Sequence, residues 1–254
     1  MNRKYRKTVI AGNWKMHKTA NETKVFLDAL KSALPRTKRC SVVLCVPYVD
    51  IPAAAKSLRD SRVAVGAQNL HWAKEGAFTG EISAAMLAEL DVKYVIVGHS
   101  ERRRLFGETD QDISRKLRAA LDADLRPILC IGEDESCRAL NIAQERISCQ
   151  LKTALAEVES VGMRRVTVAY EPQWEDGTVS AAYVGEMCAF IRGLLRKQYG
   201  ARVARSTSIL YAGPADETGM HDLLRQEDVD GVLIDDASLS PDRFLAIVQA
   251  ANLE

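Results

Sequence analysis

No Cys-x-x-Cys pair occurs in this chain of 254 residues, and none of its six cysteines lies near a histidine at a metal-ligand spacing. The usual sequence marks of a zinc site or a dithiol redox centre are therefore missing. Most of the thiols, at Cys40, Cys45, Cys130, Cys137, Cys149 and Cys188, are expected to be buried packing groups. No run of some ~20 apolar residues is present to span a bilayer. The start of the chain, Met1 to Lys7, is basic, but the apolar stretch behind it lasts only from Val9 to Ala11, too short for a signal-peptide core. A large charge of either sign is lacking too. Lys+Arg number 35 against 34 Asp+Glu, a formal net charge of +1, so attraction to nucleic acid or to an anionic membrane surface is not indicated. These absences leave a small-molecule partner and a reduced, cytoplasmic compartment as the expectations.

Two further absences bear on architecture. There is no Gly-x-Gly-x-x-Gly turn, and no Pro/Gly/Ser-rich linker divides the chain. What is present is a series of short aliphatic runs, at 8–13, 41–46, 63–67, 94–98, 127–132, 166–170, 208–211 and 231–234. Each is apolar throughout, as parallel strands buried on both faces are. Between them lie segments of helical period. In 110–124, Ile113, Leu117, Ala120 and Leu121 form one face, and Arg115, Lys116, Arg118 and Asp122 the other. In 180–199, Val184, Met187, Ile191, Leu194 and Leu195 repeat the pattern before Gly200, a residue suited to a left-handed helix end. A last helix opens on Ser240-Pro241, a serine cap followed by proline at the first helical position. Strand then helix, eight times, predicts an α/β fold of the closed (β/α)8 barrel type, with residues 1–254 as one domain.

A barrel of this kind carries its site at the carboxyl ends of its strands. The polar residues found there are Asn13 and Lys15 after the first run and Gln68 and Asn69 after the third. His99, Ser100 and Glu101 follow the fourth, Glu133 the fifth, Glu171 the sixth, and Asp235 and Asp236 the eighth. A lysine, a histidine and a carboxylate converging on one mouth suit proton abstraction next to a carbonyl. Glu171 would be the base, His99 the donor to the carbonyl oxygen and Lys15 a fixed positive charge for the enediolate. No metal, nucleotide or other cofactor is required.

Three segments carry a resemblance. Ala11-Gly12-Asn13-Trp14-Lys15-Met16, Val97-Gly98-His99-Ser100-Glu101-Arg102-Arg103 and Ala169-Tyr170-Glu171-Pro172 resemble the signature segments of the triosephosphate isomerase family, in the same order. Supporting stretches are Gly66-Ala67-Gln68-Asn69, Gly76-Ala77-Phe78-Thr79-Gly80-Glu81, Cys130-Ile131-Gly132-Glu133 and Ala237-Ser238-Leu239. The resemblance implies an aldose–ketose isomerase working on glyceraldehyde 3-phosphate and dihydroxyacetone phosphate without a cofactor. It implies Glu171 as the proton-shuttling base, His99 as the neutral electrophile, Lys15 and Asn13 as substrate contacts, and Glu101 as a supporting acid. The loop from Pro172 onward would be a lid that keeps water from the enediolate. Cys130 reads as packing, and loop 76–81 implies a homodimer in which Thr79 lies near the partner's site.

The phosphate contacts depart from the family pattern, which uses main-chain amides of a lid glycine, of a serine after a Tyr-Gly-Gly turn, and of a Gly-Gly pair. The matching positions here are Gly177, then Tyr211-Ala212-Gly213-Pro214, then Asp235-Asp236, while Glu175 and Asp176 add acids to the lid. Gly177, Gly213, Asp235 and Asp236 therefore join Asn13 and Lys15 as the substrate-binding set, but Pro214 has no N–H to donate. A lost charge-assisted hydrogen bond costs about 1.5 to 3 kcal/mol. A carboxylate ~5 Å from one phosphate charge repels it by roughly 3 kcal/mol at an effective dielectric near ~20. Helix capping is the plainer expectation for Asp235 and Asp236, and it too would put a carboxylate where an anion could bind. Two other functions remain open: a relative acting on a different, unphosphorylated hydroxycarbonyl compound, and a non-catalytic barrel serving as a binding module.

Overall fold

All eight apolar runs become strands, and each pairs in parallel with the next. In the computed structural model, which describes residues 5–35, 39–174 and 179–253, these are β1 (Thr8–Asn13), β2 (Cys40–Val46), β3 (Val63–Ala67), β4 (Tyr94–Val97), β5 (Arg126–Ile131), β6 (Thr167–Tyr170), β7 (Ile209–Ala212) and β8 (Gly231–Ile234). Registers run from Thr8 opposite Cys40 to Tyr211 opposite Val232, and β8 returns to β1 through Val9 opposite Gly231, closing the barrel. The helices around it are α1 (Ala20–Ala33), α2 (Ile51–Leu58), α3 (Ala84–Glu89), α4 (Ser100–Phe106), α5 (Asp110–Asp122), α6 (Glu135–Ala139), α7 (Ala143–Ala154), α8 (Ala181–Tyr199), α9 (Ala201–Ser206), α10 (Glu217–Arg225) and α11 (Pro241–Leu253).

Alternation along each strand divides the core in two. Val9, Ala11, Val43, Cys45, Tyr94, Ile96, Ile128, Cys130, Ala169, Leu210, Ala212 and Leu233 pack against one another, which are the positions that face the barrel axis. The intervening positions, among them Ile10, Leu44, Val97, Leu129, Val168 and Ile209, pack outward with helix residues such as Leu27, Leu117, Leu151, Ile191 and Phe244. Local signals set the helix starts. Thr19 and Glu22 form a capping box on α1, Thr109 and Asp112 another on α5, and Ser180 caps α8.

Two expectations need correction here. Gly200 does have a positive φ, 85°, but its ψ is 170°; it bends the chain straight into α9 rather than ending the helical run in a left-handed cap. Lys116 does not lie on the solvent face of α5. It is 3% exposed, and its ammonium donates to Asn69 Oδ1 at 2.7 Å and to Glu108. Burial lowers its pKa, against the opposing effect of Glu108. A cation is tolerated there because a carboxylate and an amide oxygen replace its water.

Candidate active site

Asn13 ends β1 with its side chain buried, and Lys15 follows in the left-handed region at φ 52°, an uncommon conformation for a residue with a side chain. Neighbours hold it there. Lys15 N–H donates to Asn13 Oδ1 at 3.3 Å, Gln68 Nε2 donates to the Lys15 carbonyl at 2.9 Å, and the fully buried Trp14 ties this turn to the Ser238 carbonyl at 3.0 Å. The result aims the lysine across the mouth of the barrel. Its Nζ lies 2.9 Å from Glu101 Oε1 and 2.9 Å from Asp235 Oδ2. Burial alone would lower the Lys15 pKa, but the bonds and charges of Glu101 and Asp235 outweigh it and the net shift is upward. Glu101 responds in the opposite sense: burial pushes its pKa up, Lys15 and His99 pull it down, and the sum is downward.

His99 is the N-cap of α4, and its Nδ1 accepts the Glu101 backbone N–H at 3.3 Å. A neutral ring that accepts at Nδ1 carries its hydrogen on Nε2. That Nε2 points into the mouth, 3.3 Å from Asn13 Nδ2 and 3.3 Å from Glu171 Oε1. Glu171 is placed by the end of β6, where its N–H donates to the Ile131 carbonyl at 2.8 Å. Its carboxylate rests on the start of α4: Oε2 accepts the Ser100 N–H at 3.0 Å and Oε1 the Ser100 hydroxyl.

Gly132 fits closely beneath it. A methyl built on Gly132 would lie 1.9 Å from the Glu171 carbonyl oxygen, so only glycine lets β5 and the chain after β6 approach this closely. Gln150 secures the same peptide, accepting the Gly132 N–H at 2.8 Å and donating to its carbonyl at 3.0 Å. Beyond Glu171 the chain is fastened again. Gln173 N–H donates to the Glu133 carbonyl at 2.9 Å, Tyr170 OH donates to Glu133 Oε1 at 2.8 Å, and Arg138 stacks 3.8 Å from the Trp174 ring centroid.

Lys15, His99, Glu101, Glu171, Gly213 and Asp235 line one cavity of about 340 Å³ at the carboxyl ends of the strands, and Asn13 joins it through His99. Thus Asn13, Lys15, His99, Glu101 and Glu171 converge as the sequence predicts. Asp236 is exposed and lines an adjoining cavity instead. Gly177, Glu175 and Asp176 lie outside the described residues. The capping expectation for Asp235 is wrong: it stands at the start of a 3₁₀ turn, Asp236–Leu239, but its side chain makes no capping bond and reaches Lys15 instead. Its carbonyl, not its carboxylate, receives the turn's donors, Ser238 N–H at 2.8 Å and Ser238 Oγ at 2.6 Å. Cys130 is wholly buried under the mouth, and burial pushes its thiol pKa well up, as suits a packing residue.

A model of the family described as triosephosphate isomerase matches residues 8–251. The chain belongs to the triosephosphate isomerase family. It is 44% identical over 253 residues to a triosephosphate isomerase of Synechococcus sp. (strain JA-2-3B'a(2-13)), with 96% of each chain covered. It is 42% identical over 249 residues to that of Carboxydothermus hydrogenoformans, covering 97% of this chain and 99% of the relative. The corresponding figures for the enzyme of Alkaliphilus metalliredigens are 40% over 250 residues, 96% and 99%.

In this triosephosphate isomerase family member, Ser100 stood among the polar residues at strand ends without a role, and Gln150 was not singled out at all. Ser100 is the seat of Glu171; its signal was its place at the first position of α4, where a helix leaves its N–H free. Gln150 clamps Gly132 from α7, and nothing in its surroundings in the chain distinguishes it from a surface glutamine.

Proposed function

We propose that the chain interconverts glyceraldehyde 3-phosphate and dihydroxyacetone phosphate, moving a proton between adjacent carbons through an enediolate. The observation that carries this reading is the 3.3 Å approach of His99 Nε2 to Glu171 Oε1, with Nδ1 of the same ring already accepting a backbone N–H. A base and a neutral donor then face one small volume. Glu171 takes the proton from the carbon next to the carbonyl, and His99 donates from Nε2 to the oxygen that gathers charge. The Lys15 ammonium and Asn13 Nδ2 stabilise the same charge. Glu171 is ready for this only after it leaves Ser100, so substrate entry exchanges two hydrogen bonds to Ser100 for contact with the substrate carbon.

The protein's own groups supply all of these steps, so no cofactor is invoked. The loop at 76–81 supports a homodimer: it is exposed, and Phe78 within it packs on His71 with ring centroids 4.1 Å apart. All six cysteines are unpaired, which supports a reducing compartment such as the cytoplasm. No helix among the described residues is long and apolar enough to cross a membrane. A coupled assay starting from glyceraldehyde 3-phosphate tests the proposal. Formation of dihydroxyacetone phosphate at catalytic protein concentration supports it, and no conversion in either direction overturns it.

A further inference from the structure

Three arginines follow one another on α4, and only two of them are held. Arg102 pairs with Glu108. Arg103 donates to the Gly98 carbonyl at 2.7 Å and to the Cys130 carbonyl at 3.2 Å, and pairs with Asp110. Arg104 is exposed and has no ion-pair or hydrogen-bond partner among the described residues, yet it lines the cavity that holds Lys15, His99 and Glu171.

The charge balance of that cavity gives the free guanidinium its weight. Among the described residues of the wall, Glu101, Glu171 and Asp235 are the carboxylates, and Lys15 and Arg104 the lysine and arginine cations. Lys15 is already matched by two of those carboxylates, Glu101 and Asp235, at 2.9 Å each. The N–H groups of Asp235 and Asp236 donate to no acceptor among the described residues, so they remain free to bond an anionic group once it has arrived. Such amides act at contact distance, whereas a full charge is felt over a Debye length, ~10 Å at about 0.1 M salt. Arg104 is the cation of this wall that no carboxylate touches. Its field does reach the mouth: burial pushes the Glu101 pKa up, and Arg104 is one of the charges, with Lys15 and His99, that bring it down.

We infer that Arg104 is a further substrate-binding residue, whose unpaired charge draws the phosphorylated triose into a mouth that is otherwise negative. The inference rests on the isomerase reading for its substrate. Its test compares the native protein with Arg104→Gln, Arg104→Lys and Arg164→Gln, the last removing an equal charge from an exposed residue ahead of β6, at the other end of the barrel. Arg104→Gln is expected to lower kcat/KM for glyceraldehyde 3-phosphate ~fivefold at about 10 mM ionic strength and less than ~twofold at about 0.5 M, since salt screens an exposed charge. For unphosphorylated glyceraldehyde the change is expected to stay below ~twofold at both, because a neutral compound is not attracted. Arg104→Lys, which keeps the charge, and Arg164→Gln should each stay within ~twofold of the native protein.

An unchanged kcat/KM for glyceraldehyde 3-phosphate in Arg104→Gln at low salt overturns the inference, as does an equal fall for glyceraldehyde, in Arg104→Lys or in Arg164→Gln. A thermal-shift titration with inorganic phosphate separates this inference from the isomerase reading. If the native protein isomerises neither compound, that reading fails, while phosphate binding weakened in Arg104→Gln but not in Arg164→Gln upholds the role of Arg104, and equal binding in all refutes it. Arg104→Met takes the same measurements if the glutamine variant does not fold.

Discussion

Replacing Gly132 with alanine places a methyl carbon 1.9 Å from the Glu171 carbonyl oxygen, 2.6 Å from its carbonyl carbon and 3.3 Å from its Cα. All three are backbone atoms, so no side-chain rotation can relieve the clash. Restoring ordinary contact, roughly 3.2 Å or more, requires the Glu171 peptide to retreat by at least about 1.3 Å. Retreat is resisted on both sides. Gln150 grips the Gly132 peptide, and the Glu171 N–H is tied to Ile131 at 2.8 Å. The strain expected of such overpacking is about 1–3 kcal/mol, which lowers Tm by roughly 2–12 °C in a chain of this size. A displacement of about 1 Å in a reacting group is worth on the order of 100-fold in rate. Steady-state kinetics on Gly132→Ala, at a temperature where circular dichroism shows it folded, should therefore show kcat down about 100-fold with KM much less altered. A folded Gly132→Ala protein with native kcat would refute the argument that this contact sets the position of Glu171.

Other substitutions probe separate parts of the account. His99→Gln removes the imidazole whose Nδ1 accepts the Glu101 N–H and whose Nε2–H faces the mouth, and should cost kcat on the order of 100-fold or more; a tenfold loss or less speaks against His99 as the donor. Lys116→Met leaves Glu108 buried with Arg102 as its remaining cationic partner and should cost about 3 kcal/mol by urea unfolding, against the few tenths expected if Lys116 were a surface residue. Burial raises the Glu133 pKa, with Tyr170 pulling in the opposite direction. The stability linked to its neutral form is complete below its unfolded value of about 4.3 and is lost as pH rises through the raised folded value. Glu133→Gln should then compare more favourably with the native protein at pH 7 than at pH 4, and a gap that widens with pH would contradict this.

Much of the fold can be read in the chain because parallel strands covered on both faces are bounded by simple changes of polarity. Thr8–Asn13, Val63–Ala67 and Gly231–Ile234 coincide with the aliphatic runs residue for residue. The fourth strand stops one residue sooner than its run, where Gly98 turns to φ 77° and swings His99 into its capping place. Periodicity misjudged Lys116 because it assigns a helix face by the residue's own polarity, whereas Asn69 and Glu108, contributed from elsewhere, make burial possible. The same limit governs the site. Asn13, Lys15, His99 and Glu171 stand out as polar residues at strand ends, so their convergence follows from barrel topology. The pairing of Lys15 with Asp235 joins the ends of β1 and β8, which become neighbours only when the barrel closes, and capping chemistry gave the acid a plausible local partner that the turn's own geometry does not use.

In the proposed reaction Glu171 carries the proton between adjacent carbons. Proton NMR of dihydroxyacetone phosphate turning over in D2O tests it most directly, with the native protein beside Glu171→Gln, a variant close in shape whose fold is checked by its Tm. Deuterium entering at carbon with the native protein, and at least ~100-fold more slowly with the variant, is the predicted result. Deuterium exchange by Glu171→Gln at the native rate would contradict the account.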